Sequence, residues 1–177
     1  MKIVFLDACT VSREDDVDLS SLRALGDWQP YELTTPEETA SRIAGAEVLI
    51  SNKVLLDRDL IAAAAPTLKL IAVAATGTNN VDLEAAKEHG VQVCNVSGYS
   101  TDSVAQHVLA FILNLTTAVN RYASAPDRWP QSPIFTRLDY PIHQLSDLTL
   151  GLVGVGNGYR SSGVFCYRGC GGTSTSI

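Results

Sequence analysis

The chain has 177 residues, enough to bury one good core and part of another. Apolar residues make up 46% and charged residues 18%, the balance of a soluble globular protein, and the net charge of -6 comes without a basic stripe. That charge argues against nucleic acid or an anionic membrane surface as a partner. No run reaches the roughly 20 apolar residues of a membrane span, and the stretch before Asp7 is too short for a signal-peptide core. A cytoplasmic protein is expected.

Residues 2–7 (KIVFLD) read as a first strand, residues 19–25 as a short helix closed by Gly26, and residues 28–33 as a weaker, alternating strand. Thr35-Pro36-Glu37-Glu38 combines an N-cap, a proline at the first helical position and a capping-box glutamate. It predicts a helix to about Ala44, ended by Gly45. Residues 46–51 (AEVLIS) form a third strand, with Asn52 and Lys53 at its carboxyl end, and Asp57 caps a helix that stops at Pro66.

Residues 68–75 (LKLIAVAA) carry a single charge, as expected of a central strand with helices on both faces. A small polar turn, Thr76-Gly77-Thr78-Asn79-Asn80, follows at the end where ligands of open α/β sheets bind, and Gly77 leaves backbone N–H groups open to an anion. Asp82 caps a helix over residues 83–89, Gly90 stops it, and residues 91–96 are a fifth strand. Strand follows helix four times through short connections. Residues 1–98 are therefore expected to form a flavodoxin-like, doubly wound parallel sheet in the α/β class. Cys9 and Cys94 lie in or beside strands and read as reduced, buried thiols.

Residues 98–100 read as a hinge into a long helix from Thr101. Val104, Val108, Phe111, Ile112, Leu115 and Val119 give that helix one apolar face, which must pack on something. Residues 123–147, rich in proline and aromatics and without a period, read as an extended arm. Residues 148–157 (LTLGLVGVGN) are a buried-type strand running into glycines, the opening of a dinucleotide-binding βαβ unit. Gly154 and Gly156 fit its fingerprint, whereas Gly158 comes one residue early. A single residue inserted after Asn157 restores the spacing. Beyond it there is no helical face and no Asp or Glu after Asp147 to bind a ribose. The one-residue defect and the loss of pattern coincide, so a change of reading frame near Asn157 is expected, which the coding DNA decides. Residues 158–177 are then a tail unrelated to what precedes, and the strand over residues 148–155 has no neighbour to pair with. Cys166 and Cys170 offer metal binding as an alternative, through a spacing that is a weak zinc signal.

Residues 75–113, ATGTNNVDLEAAKEHGVQVCNVSGYSTDSVAQHVLAFIL, resemble the D-2-hydroxyacid dehydrogenase family, in its hydroxypyruvate and glyoxylate reductase (glycerate dehydrogenase) branch. The T-G-T-N-N-V-D turn and the S-V-A-Q-H helix start carry the likeness, which runs to about Asn157. The resemblance implies a substrate domain over residues 1–98. Residues 99–157 would then be the first helix, arm and first strand of an incomplete Rossmann domain. It implies an NAD(P)-dependent oxidoreductase of a small 2-oxo or 2-hydroxy acid. Thr76, Gly77 and Thr78 would hold the substrate carboxylate, and Asn52 and Lys53 would flank the cleft. Val104 would line the nicotinamide end of an NAD or NADP site completed by Gly154, Gly156 and Gly158. It also implies a homodimer through the arm at 123–147.

The family's catalytic histidine, its glutamate partner and its arginine have no counterpart here, and Gln106 stands where relatives often carry glutamate. His89 reads as a helix-end contact, and His107 and His143 carry no motif. The 177 residues are therefore expected not to turn over. Two alternatives remain: a catalytically silent module that binds a carboxylate or dimerises, and a receiver-like signalling domain. The latter finds its acidic pair only loosely in Asp7 and the Glu14-Asp15-Asp16 run, and lacks the aspartate expected after the third strand.

Overall fold

A computed structural model of the chain describes residues 1–14, 16–152 and 174–176. It divides into two compact units, Met1–Ser97 and Gly98–Ile177.

The first unit is built on five parallel strands: β1 (Lys2–Phe5), β2 (Asp27–Pro30), β3 (Val48–Ser51), β4 (Leu70–Val73) and β5 (Gln92–Asn95). Their order is β2-β1-β3-β4-β5, with Ile3 opposite Val48, Ser51 opposite Val73 and Val73 opposite Asn95. The order is the flavodoxin-like one.

Helices α2 (Pro36–Ile43), α3 (Arg58–Ala64) and α4 (Leu83–Glu88) lie on one face. They bury Ile43, Ile61, Ala64, Ala85 and Ala86 against Val4, Leu6, Leu49, Ile71 and Val73. Each helix starts where its sequence signal stands. The Thr35 capping box closes at both ends, and the Asp57 and Asp82 carboxylates accept the Leu60 and Ala85 N–H groups at 2.9 and 2.8 Å. Gly45 and Gly90 leave α2 and α4 at φ +70° and +71°, a backbone region that costs glycine nothing.

The opposite face is thinner. A 3-10 turn at Ala8–Thr10 and the single turn α1 (Ser20–Arg23) are the helical elements that precede β2. Val11, Leu19 and Trp28 pack there on Ile3, Phe5, Ala8 and Ile50. Leu70, Ala72 and Ala74 stay half-buried, so β4 is not covered equally on both sides as its sequence suggests. Cys94 is exposed, not buried, because β5 is the last strand of the sheet. The second strand closes at Pro30 rather than Leu33. Beyond it Leu33 is 65% exposed, as the chain turns toward the Thr35 cap.

In the second unit α5 (Thr101–Thr117) ends where Ala118 takes a left-handed conformation at φ 53°, and α6 (Val119–Ala123) follows. A single helix through Val119 is therefore not formed. The Thr116 and Thr117 hydroxyls bond back to the Ile112 and Leu113 carbonyls, and Asn114 Oδ1 accepts the Asn120 N–H at 3.0 Å, holding the break.

The segment after α6 has 3-10 turns at Pro126–Arg128 and Leu145–Asp147. It doubles back on the helices: the Tyr122 hydroxyl accepts from the Tyr140 N–H at 3.2 Å, and the His143 N–H donates to the Thr116 carbonyl at 2.9 Å. Arg137, 5% exposed, locks the turn by pairing with Asp139 and donating to the Ala125 carbonyl at 2.9 Å. Strand β6 (Leu150–Leu152) pairs in parallel with β7 (Ser174–Ser176). The expectation of an unpaired strand over residues 148–155 is corrected at residues 150–152. An isolated strand leaves both its edges unmet, and the Ser-Thr-Ser run pairs with one of them.

Candidate functional site

The carboxyl ends of β1, β3 and β4 meet at one rim of the sheet. Two loops dominate it: residues 52–56 after β3 and residues 74–82 after β4. They are joined directly. Leu56 and Val81 form a parallel bridge. The Leu56 N–H donates to the Asn80 carbonyl at 2.8 Å, the Asp82 N–H to the Leu56 carbonyl at 3.0 Å, and Asn80 Nδ2 to the Val54 carbonyl at 3.1 Å. Leu56 and Val81 are buried beneath this seam.

The β4 loop is tied from its other side to β5. Thr76 Oγ1 donates to the Val96 carbonyl at 3.0 Å, Asn95 Nδ2 donates to the Thr76 carbonyl at 2.6 Å, and the Val96 N–H reaches the Ala75 carbonyl at 3.0 Å. These bonds occupy the Thr76 hydroxyl and the Ala75 and Thr76 carbonyls. The N–H groups of Thr76, Gly77 and Thr78 have no acceptor among the described residues. Thr76 and Gly77 are exposed and Thr78 is half-buried. Unmet donors at a strand end are available to an anion. A Cβ on Gly77 would meet only Asn79 Oδ1, at 3.1 Å.

The β3 loop behaves in the opposite way. Its amides are already taken by Asp7, a buried residue at the end of β1 that is 2% exposed. The Asp7 carboxylate accepts the Asn52 N–H at 2.9 Å, the Lys53 N–H at 2.6 Å and the Val54 N–H at 3.3 Å. Asn52 Nδ2 donates to Thr10 Oγ1 at 3.1 Å, while Asn52 Oδ1 is buried without a partner. Asn52 therefore offers a ligand no backbone donor. Lys53 is exposed, and no carboxylate lies within ion-pair distance of it among the described residues. It borders a cavity of about 620 Å³ between the β1 and β3 ends, with Asp7, Leu33, Pro36, Val54 and Leu55 in its walls.

Asn52 and Lys53 are thus gathered by Asp7, and Thr76, Gly77 and Thr78 stand on the neighbouring strand end. The Asn80 link joins the two groups. Val104, 48% exposed, lies in the first turn of α5 in the second unit. Gly154, Gly156 and Gly158, with Cys166 and Cys170, lie outside the described residues. Among the described residues no cluster of His, Cys, Asp or Glu could hold a metal, and no helix is long and apolar enough to cross a membrane.

Sequence reasoning missed the roles of Asp7 and Asn80. The signal for Asp7 was an acid closing an apolar strand just before the loop region of a parallel sheet. Its carboxylate is taken up by amides, so Asp7 has no free oxygen pair to offer the acidic pair of the receiver-like alternative.

The sequence profile of the D-isomer specific 2-hydroxyacid dehydrogenase catalytic domain matches residues 4–176. The chain belongs to that family. It is 39% identical over 158 residues to a glycerate dehydrogenase of Methylorubrum extorquens, covering 88% of this chain and 49% of that protein. To a hydroxypyruvate reductase of Blautia hydrogenotrophica it is 33% identical over 168 residues, covering 92% and 52%. The chain spans about half the length of the curated relatives it matches. A solved structure of D-lactate dehydrogenase from Aquifex aeolicus, complexed with NAD and lactic acid, superposes with a TM-score of 0.79. The match has 23% identity and covers 99% of this chain and 50% of that one, a likeness of fold.

Proposed function

We propose that residues 1–98 form the substrate-carboxylate part of an NAD(P)-dependent oxidoreductase that interconverts a small 2-oxo acid, hydroxypyruvate or glyoxylate, with its D-2-hydroxy acid. The observation that carries this reading is the N–H groups of Thr76, Gly77 and Thr78 on the carboxyl rim, which have no acceptor among the described residues. A carboxylate there receives charge-assisted hydrogen bonds from a turn already held in place by β5. The Lys53 ammonium, on a flexible stem at the adjoining strand end, supplies the cation. The glycerate dehydrogenase and hydroxypyruvate reductase relatives support the substrate class, and the NAD-bound D-lactate dehydrogenase supports a nicotinamide cofactor.

Reduction also needs a proton donor at the ketone oxygen. His89 stands at the far end of α4 from the turn. His107 lies within α5, edge-on to Phe111 at 4.6 Å, and His143 is in the segment that doubles back. None belongs to the rim of the first unit. NAD or NADP, when bound, supplies the hydride; Val104, Gly154, Gly156 and Gly158 are the residues that would hold it. The 177 residues alone bind the acid without reducing it, which is also the behaviour of a silent carboxylate-binding module. Residues 123–147 join two chains into a homodimer. Ile134 is 51%, Leu138 75% and Phe135 fully exposed on that segment, a set of apolar side chains suited to a second copy.

Titration of the ¹⁵N-labelled chain with hydroxypyruvate tests the site. Shifts concentrated at the Thr76, Gly77 and Thr78 amides are expected, and their absence refutes the assignment. Hydroxypyruvate with NADH or NADPH is expected to give no absorbance decay above background. Turnover that survives repurification refutes the claim of inactivity.

A further inference from the structure

We infer that Asp7 is a positioning residue for acid binding: it fixes the backbone of Asn52, Lys53 and Val54, so that Lys53 projects from one defined point on the rim. The inference rests on the proposed carboxylate site.

A buried carboxylate requires several donors to remain charged away from water. All of those around Asp7 come from one loop. Its two oxygens receive the N–H groups of Asn52 and Lys53, the bond to Lys53 being the shortest at 2.6 Å, and share the Val54 N–H, at 3.3 Å, with the Ser51 hydroxyl, which accepts it at 3.1 Å. The Asp7 carbonyl accepts the Thr10 hydroxyl at 2.7 Å, and that hydroxyl accepts Asn52 Nδ2 at 3.1 Å. Solvation of one charge and the shape of the loop are therefore the same requirement.

The loop's far end is fixed independently, by the seam of Val54 and Leu56 with Asn80 and Val81. Between these anchors Lys53 has its N–H held and its side chain exposed. Holding the origin of a long, flexible cation removes backbone disorder from what binding must overcome. Asp7 does this as a buried side chain whose carboxylate is taken up by the loop's own amides.

A double-mutant cycle reads the coupling. Hydroxypyruvate affinities are taken from amide shifts of Gly77 and Thr78 in the full chain for the unaltered protein, Asp7→Asn, Lys53→Ala and both together. Each single change is expected to weaken binding about tenfold, the scale of one lost charged contact. The double variant should be no weaker than the worse single one, because a released Lys53 no longer contributes. A purely structural Asp7 would lower the melting temperature yet leave affinity intact, or give losses that multiply. Either result overturns the inference while leaving the carboxylate site standing. No shift at Gly77 and Thr78 in the unaltered chain removes the site itself, and the inference with it. Should Asp7→Asn not fold, Thr10→Val takes its place, since Thr10 is exposed. It should weaken binding about threefold with Lys53 present and not at all in Lys53→Ala; no effect in either background overturns the proposal.

Discussion

Asn80→Ala separates the two parts of the seam between the site loops. Asn80 acts twice: its side chain donates to the Val54 carbonyl at 3.1 Å, and its own carbonyl accepts the Leu56 N–H at 2.8 Å. Only the first is lost on truncation. The Val54 carbonyl keeps a marginal contact from Ser51 Oγ at 3.4 Å, and Val54 is only half-buried. Water can therefore replace the amide, which puts the loss at the low end for an unmet acceptor, about 1 kcal/mol. For a unit of this size that corresponds to a fall of roughly 4–8 °C in melting temperature. Trp28 belongs to the first unit and Trp129 to the second, so in a Trp129→Phe background the fluorescence of Trp28 follows the first unit alone. A fall within that range, with weaker hydroxypyruvate binding, is expected. An unchanged melting temperature shows that the side chain does not join the loops. A loss beyond about 3 kcal/mol exceeds any single neutral hydrogen bond and shows that the Leu56 and Val81 pairing depends on it.

Ile71→Ala, at a fully buried position on β4, should cost about 2–5 kcal/mol. Leu115→Ala, on a side chain 78% exposed, should stay within about 0.5 kcal/mol; urea midpoints compare the two. The Thr35 N–H, first among several partners, holds the Glu38 carboxyl below its ordinary value of 4.5. A depressed folded-state value stabilises fully above 4.5 and loses that contribution as pH falls through the folded value. Glu38→Gln should therefore flatten the acid limb of the stability profile below about pH 4.5, and an unchanged limb refutes the capping-box account. Arg137→Ala removes the pair with Asp139 and the bond to the Ala125 carbonyl. Tryptic cleavage after Arg128 should accelerate; equal rates show that the segment does not depend on Arg137.

The helices of the first unit were legible because their ends carry chemistry. Thr35, Asp57 and Asp82 each cap as their sequence implies, and Gly45 and Gly90 stop two of them. The doubly wound parallel sheet followed from alternation. What the residues did not disclose depends on neighbours distant in the chain. Whether Cys94 is buried turns on β5 being the last strand. The break at Ala118 turns on side chains bonding backward, which no apolar period reports. The site divided along the same line. The Thr76-Gly77-Thr78 turn announces itself as a motif, whereas Asp7 meets Asn52 across a separation of 45 residues and Asn80 meets Val54 across 26.

Asp7 also bears on why the proposed carboxylate site lies at β4. In a sheet of order β2-β1-β3-β4-β5 the crevice expected to take a ligand opens between β1 and β3, where strand order reverses. Three consecutive N–H groups do converge there, and they converge on the chain's own carboxylate. An external acid would have to displace a buried, fully bonded anion, or approach one that repels it. One strand further along, the N–H groups of Thr76, Gly77 and Thr78 face no internal acceptor among the described residues. Hydrogen bonds to β5 and to the 52–56 loop hold the two ends of that turn. By occupying the first crevice with a side chain, the fold removes a competing anion site and turns its loop into a support for Lys53. The proposed carboxylate site at the β4 turn thus rests on donor availability as well as on topology.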